Sequence, residues 1–270
     1  MPPAIPRLGF GTYRLAAGEE CAGAVATAVE TGYRHVDTAQ GYGNEASVAD
    51  GVGRTDVDRD DLFVATKLST ENLAHDDAVS TARESADRLD VETIDLLYVH
   101  WPIRTYDPEG TLAALDDLVE EGLVGAVGLS NFTPALLRDA MDRLDAPVLA
   151  HQVEMHPLLQ QEELRGMAVE HDHWLVAYSP LARTKVSDVP EVREVADARD
   201  ASPAQVSLAW LRSKEHVVAI PKATSPEHVR ENYASLDLEL DPEAVERIDA
   251  IPAERYERCV DFAAAPWNDG

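Results

Sequence analysis

Asp37 closes the run RHVD, Lys67 closes LFVATK and His100 closes IDLLYVH, while Tyr42 lies just beyond Asp37 between Gly41 and Gly43. All four side chains handle protons, and together they outline one reaction. A phenol ordinarily titrates near pH 10 and keeps its proton at neutrality. A neighbouring ammonium stabilises the phenolate and lowers that value, and each unit of lowering needs about 1.4 kcal/mol. Two or three units need roughly 3–4 kcal/mol, which a close ammonium at reduced dielectric supplies. The ammonium in turn needs a counter-charge once it is buried, and Asp37 is the carboxylate at hand. The order Asp37 to Lys67 to Tyr42 then makes the phenol a general acid, with His100 donating to a substrate oxygen from the other side and orienting it. This set suits protonation of an oxygen that is becoming an alkoxide, as in reduction of a carbonyl by hydride.

Taken singly, each residue has an ordinary structural use: a turn carboxylate, a lysine snorkelling at a strand end, a core histidine, a loop aromatic. Their joint meaning depends on an architecture that brings strand ends to one rim. Strand-like apolar runs recur at 7–15, 34–39, 62–67, 94–102, 124–131, 148–155, 173–180 and 217–223. Several are almost continuously apolar, as parallel strands covered on both faces are. Acidic, alanine-rich segments with helical spacing lie between them, among them 19–32, which closes on Gly32, 76–89, 108–122, and a helix begun by Asp241-Pro242. Eight such units predict a single-domain α/β fold, a (β/α)8 TIM barrel spanning 1–270. An open doubly wound sheet would carry G-x-G-x-x-G after its first strand; here Gly9-Phe10-Gly11 is followed by Thr, Tyr and Arg. In a barrel the strand ends form the catalytic rim, and the polar ends here are Asp37, Lys67, His100, Ser130-Asn131, Gln152, Tyr178-Ser179 and Lys222.

The chain has 270 residues, with 50 acidic against 23 basic side chains and a formal charge of −27. Only Lys67, Lys185, Lys214 and Lys222 are lysines. Such a polyanion repels nucleic acid and anionic membranes. It also repels itself unless salt screens it, and at molar salt the screening length falls to about 3 Å; a halophilic, high-salt cytoplasm is the expected setting. No apolar run is long enough for a membrane span, the N-terminus lacks the pattern of a secretory signal, and two distant cysteines, Cys21 and Cys259, fit reduced thiols in a cytoplasm.

GYRHVDTAQGYGNE (32–45), VATKL (64–68), YVHWP (98–102), VGLSNF (127–132), QVEMHP (152–157), AYSPL (177–181) and IPKATSPEHVREN (220–232) occur in the order found in the aldo-keto reductase superfamily. The chain resembles that family over nearly its whole length. The resemblance implies a usually monomeric barrel that binds a nicotinamide cofactor without a Rossmann fold and reduces an aldehyde or ketone. It implies a catalytic tetrad of Asp37, Tyr42, Lys67 and His100. It further implies that Ser130, Asn131 and Gln152 hold the carboxamide, that Tyr178 stacks on the nicotinamide, and that Ser179 and Leu181 line the pyrophosphate path. At the adenosine end it implies Lys222, Thr224, His228, Glu231 and Asn232. Two positions depart from the NADP-preferring pattern: Ala223 stands where it has serine and His228 where it has arginine. A 2′-phosphate favours a guanidinium over a neutral imidazole, yet Lys222 and Thr224 remain and Arg230 is one turn away. NADP is therefore the first choice, with NAD or dual use beside it. The hairpin that closes the barrel bottom in this family is abbreviated to MPPAIPRLGFG.

Tyr13 and Trp101 are expected to line the substrate pocket, with Tyr106, Phe262 and Trp267 also able to shape it. Glu170-His171-Asp172-His173 has metal-ligand residue types, but alternate positions point apart and no metal is expected. A short 2-keto acid, a keto sugar, a methylglyoxal-like aldehyde and an aromatic aldehyde all remain open as substrates. Two other classes compete: a cofactor-sensing regulatory subunit built on the same barrel, and an unrelated barrel hydrolase or isomerase, for which no G-x-S-x-G motif is present.

Overall fold

In the computed structural model, which describes residues 5–268, eight parallel strands follow one another in chain order. They are β1 Phe10–Gly11, β2 His35–Asp37, β3 Phe63–Leu68, β4 Leu96–Val99, β5 Val127–Ser130, β6 Val148–Glu154, β7 Trp174–Tyr178 and β8 Val217–Ala219. The last strand returns to the first: Leu8 bridges Ala219 in parallel, and the Gly9 and Gly11 N–H groups donate to the Ala219 and Pro221 carbonyls at 2.8 and 3.0 Å. Helices lie between the strands, so the architecture is the (β/α)8 barrel that the alternation predicts. Of MPPAIPRLGFG, residues 1–4 lie outside the described residues; Ile5 packs inside the barrel.

The strands are shorter than the apolar runs. β1 keeps two residues because the chain leaves the sheet at Thr12, whose N–H and hydroxyl both donate to the Asp37 carbonyl. TYRL thus becomes a rim loop rather than strand. Helix Glu19–Thr31 ends at Gly32, which has φ 126° and whose N–H donates to the Ala28 and Val29 carbonyls. A side chain there would also meet the Tyr233 hydroxyl at 2.3 Å, so glycine is required twice over. Helices Pro108–Glu120 and Pro242–Asp249 start where Asp107 and Asp241 accept the Gly110 and Ala244 N–H groups, with proline in the first turn.

Two apolar layers flank the sheet. Val36, Val64, Leu97, Val99, Val127 and Leu129 face the helices. Ala65, Leu96, Tyr98, Ala150, Val176 and Val218 fill the barrel. Successive strand residues point to opposite faces, so a rim residue two positions after an inner one shares its face. That rule places Lys67 after Ala65, His100 after Tyr98, Gln152 after Ala150 and Tyr178 after Val176. Gly128 leaves room for the buried Tyr98 ring, whose Cδ1 would lie 2.3 Å from an added Cβ. No described helix is long and apolar enough to cross a membrane.

Candidate active site

Lys67 is fully buried, and its Nζ donates to Asp37 Oδ1 at 2.5 Å and to the Thr38 carbonyl at 2.7 Å. The same Nζ lies 5.3 Å from the centroid of the Tyr42 ring and 5.7 Å from that of Tyr98. Tyr42 ends a short 3-10 turn, Gln40–Tyr42, which Gly43 terminates with φ 66°. Neighbouring side chains hold this turn. Gln40 Oε1 accepts the Ser69 N–H at 2.9 Å, and Gln40 Nε2 donates to the Thr81 carbonyl at 3.1 Å. Buried Asn44 accepts the Thr38 hydroxyl and donates to the Thr12 and Leu15 carbonyls. The Tyr42 ring packs edge-on to His100, centroids 5.7 Å apart at 75°, and against Tyr13 at 5.1 Å. The four proton-handling residues are thus brought together at one rim.

The electrostatics differ from the expectation in one respect. Burial raises the Tyr42 phenol well above its ordinary value, with Asp37 and the nearby tyrosines adding to the rise. Lys67, whose ammonium donates to Asp37, does not reverse this rise. A raised value keeps the proton on Tyr42 at neutrality, as a proton donor requires. Burial also lowers the Lys67 ammonium, opposed by Asp37. His100 is lowered to about 3, first by burial and then by Lys67, so it stands neutral.

The expected carboxamide residues join this cluster. Gln152 Nε2 donates to Asp37 Oδ2 at 2.7 Å, spanning the mouth from β6 to β2. Ser130 Oγ donates to the Gln152 carbonyl at 3.0 Å. Asn131, held at φ 63°, donates from Nδ2 to the His100 carbonyl and to Ser130 Oγ, both at 2.9 Å, and accepts the Tyr178 hydroxyl at 2.9 Å. Lys67, Asp37, Gln152, Ser130, Asn131 and Tyr178 therefore form one hydrogen-bonded network that also takes in the His100 carbonyl, which the spacing of the motifs did not reveal; the Tyr42 and His100 rings pack beside it.

A cavity of about 570 Å³ opens above it. Tyr13, Tyr42, His100, Trp101 and Tyr178 line one part, and Ser179, Leu181 and Lys222 extend it to one side. Thr224, His228, Glu231 and Asn232 lie beyond that lining, on the segment after β8 and helix Pro226–Ala234. Thr224 and His228 are exposed, and Asn232 is buried. Phe262 lines the cavity and packs on Trp101 at 4.9 Å, with Trp267 on the same ring at 5.5 Å. Tyr106 instead packs against Phe132 and is not part of the lining. In the 170–173 segment the His171 and His173 rings stack, centroids 6.5 Å apart, rather than pointing apart. Among the described residues, the His, Cys and carboxylate donors within 4.8 Å of one another are those of Glu154, His156 and Cys259.

The cations at the mouth were not anticipated, apart from Lys222. Surface arginines such as Arg54, Arg83, Arg143 and Arg255 have carboxylate partners. Arg14, Arg183 and Lys222 line the cavity and have none among the described residues. In so acidic a chain, unpaired cations gathered at one opening fit a phosphate-bearing group such as a dinucleotide. Over Ala182–Thr184 the backbone turns through φ 48°, 51° and 75°, which aims Arg183 inward; sequence gives no sign of that turn.

Comparison with known proteins agrees with this geometry. The family model described as "Aldo/keto reductase family" matches residues 7–253. An aldo-keto reductase of Mycobacterium avium (strain 104) is 36% identical, covering 92% of this chain and 86% of its own. The methylglyoxal reductase DkgB of Escherichia coli O157:H7 is 35% identical, covering 92% and 93%. Among solved structures, the Bombyx mori aldo-keto reductase in complex with NADP superposes with a TM-score of 0.87 at 29% identity, covering 96% of this chain and 92% of that one. On fold, site and sequence together, the chain belongs to the aldo/keto reductase family.

Proposed function

We propose that this protein reduces an aldehyde or ketone to an alcohol, with Tyr42 as general acid. The observation that carries the reading is the buried Lys67–Asp37 pair directly beneath the phenol at the edge of the cavity. A bound NAD(P)H supplies the hydride. His100, neutral and edge-on to Tyr42, donates to the substrate oxygen and fixes its direction. Tyr42 then gives its proton to that oxygen as negative charge develops there. The pairing of Lys67 with Asp37 lets a cation remain under the phenol, where it favours the phenolate left behind. Gln152 restrains Asp37 while its amide oxygen stays available to a carboxamide, as do Ser130 and Asn131 from β5.

NADP is the preferred cofactor in this reading, with NAD or dual use next. Lys222 and Arg183 are the phosphate-side cations. Glu231 and Asn232 serve the adenine end, and exposed His228 with Thr224 would make only a weak 2′-phosphate site. The acidic surface suits a monomer in a salt-rich cytoplasm. The test is absorbance at 340 nm: the protein with NADPH and a simple aldehyde should consume the cofactor, with one alcohol formed per NADPH. Binding of NADPH without turnover on a panel of aldehydes and ketones would favour the regulatory alternative.

A further inference from the structure

The end of β6 carries a carboxylate that this chemistry does not use. Glu154 shares the inner face with Gln152 and is 1% exposed. A buried carboxylate is costly unless paired or hydrogen-bonded, and no lysine or arginine pairs with this one among the described residues. Its partners are in the C-terminal tail and on its own strand end. Oε1 accepts the Cys259 N–H at 2.5 Å and meets His156 Nε2 at 2.9 Å; Oε2 accepts the Val260 N–H at 3.0 Å. Burial alone would raise this carboxyl, but His156 and the two amides hold it below its ordinary value, so it stays ionised.

Those amides stand at the root of a flap. Past them, Asp261 accepts Trp267 Nε1 at 3.1 Å and Asn268 Nδ2 at 3.0 Å, which folds residues 261–268 onto themselves. Arg258 lies 4.0 Å over the Trp267 ring. The flap presents Phe262 and Trp267 to Trp101, and Val260 and Phe262 line the cavity together with Tyr13. Tyr13 is 48% exposed and Phe262 39%, the two large exposed aromatic side chains among the described residues, and both line this cavity. Exposed apolar rings lining one cavity suit a flat apolar ligand.

We infer that Glu154 is a positioning residue that docks the tail through the Cys259 and Val260 amides, setting an aromatic wall that selects carbonyl substrates with a flat apolar body. The selectivity part rests on the function proposed above; the docking part does not. Glu154→Gln replaces one accepting oxygen by a donor facing a backbone N–H, so one of the two latch bonds is lost.

The experiment compares wild type, Glu154→Gln and Phe262→Ala with benzaldehyde and with methylglyoxal. It measures kcat and KM, NADPH affinity by fluorescence, and hydrogen exchange of residues 256–264 in the NADPH-bound protein. Wild type should prefer benzaldehyde by tenfold or more in kcat/KM. Glu154→Gln should raise KM for benzaldehyde about tenfold, leave kcat and the methylglyoxal constants within twofold, and speed exchange at 259 and 260. Phe262→Ala should raise the same KM without that faster exchange. Equal losses on both substrates, or an unchanged preference despite faster exchange, would overturn the selector role. Unchanged exchange in Glu154→Gln would overturn the latch, even if the wild type reduced neither aldehyde and the functional reading itself failed.

Discussion

The β2–β4 side of the mouth and the tail that faces it are built on opposite principles. On the first side Asp37, Lys67 and His100 project from neighbouring strands, and Lys67 meets two acceptors at 2.5 and 2.7 Å. Ladder hydrogen bonds hold the backbone there, and side-chain direction follows from the two-residue repeat of a strand. The tail has no ladder. Residues 256–268 lie on the rim through side-chain and loop contacts: two amides on Glu154, the Glu257 N–H on the Leu158 carbonyl at 2.8 Å, the Tyr256 hydroxyl on Glu162 at 2.6 Å, an ion pair of Glu257 with Lys185, and aromatic rings on Trp101. In the proposed function the proton chemistry falls on the laddered side and recognition on a loop segment held by side chains.

That contrast breaks most visibly at the lysine. Lys67→Met should cut kcat at least 100-fold for every carbonyl tried, because it acts on the chemistry and not on recognition. It also strands the Asp37 carboxylate in the interior, and loss of one partner of a buried pair costs about 3–5 kcal/mol; urea unfolding would report it. On the other side, Trp101→Ala removes the ring on which the tail packs. Aromatic pairs contribute about 0.5–1.5 kcal/mol beyond buried area, so KM for an aromatic carbonyl should rise roughly three- to tenfold while kcat with a small one holds. Steady-state constants for the two substrates separate these cases.

Salt should act on the whole surface rather than on either region. With a charge of −27, self-repulsion in dilute buffer should lower the melting temperature by several degrees relative to molar KCl; a melting series across salt checks this. The smallest effect is expected from pH. His100 is neutral above about pH 3, and Tyr42 keeps its proton past its ordinary value. Neither group changes charge between pH 5 and 9, so kcat/KM for reduction should vary by no more than about twofold there. A step near pH 6.5 would mean that His100 is solvated; one near pH 8 would mean that Lys67 lowers the phenol after all.

How much was legible in the sequence follows the same division. Asp37, Lys67 and His100 each end an apolar run, and a strand's alternation carries them to one rim once the barrel is inferred. Tyr42 was legible through Gly41 and Gly43, which mark the turn. The strand limits were not: β1 retains two residues, and the Thr12 hydroxyl beyond it bonds the Asp37 carbonyl. Nor was the direction of the Tyr42 shift, since it comes first from how deeply the phenol is buried, which no spacing encodes. The inward turn of Arg183 rests on three successive left-handed residues, none of them glycine. Phe262 and Trp267 were visible only as aromatics in a tail, and Tyr106 looked the same yet packs on Phe132. Phe262 lines the cavity, beyond two amides that rest on Glu154 over 100 positions away in the chain.

The central claim is that Tyr42 gives the proton. Single-turnover oxidation of bound NADPH by Tyr42→Phe, followed at 340 nm beside a fluorescence titration of NADPH, tests it most directly. Hydride transfer should slow about 10²–10⁴-fold with NADPH affinity unchanged. Transfer at the wild-type rate by an enzyme that has no hydroxyl at position 42 would contradict it.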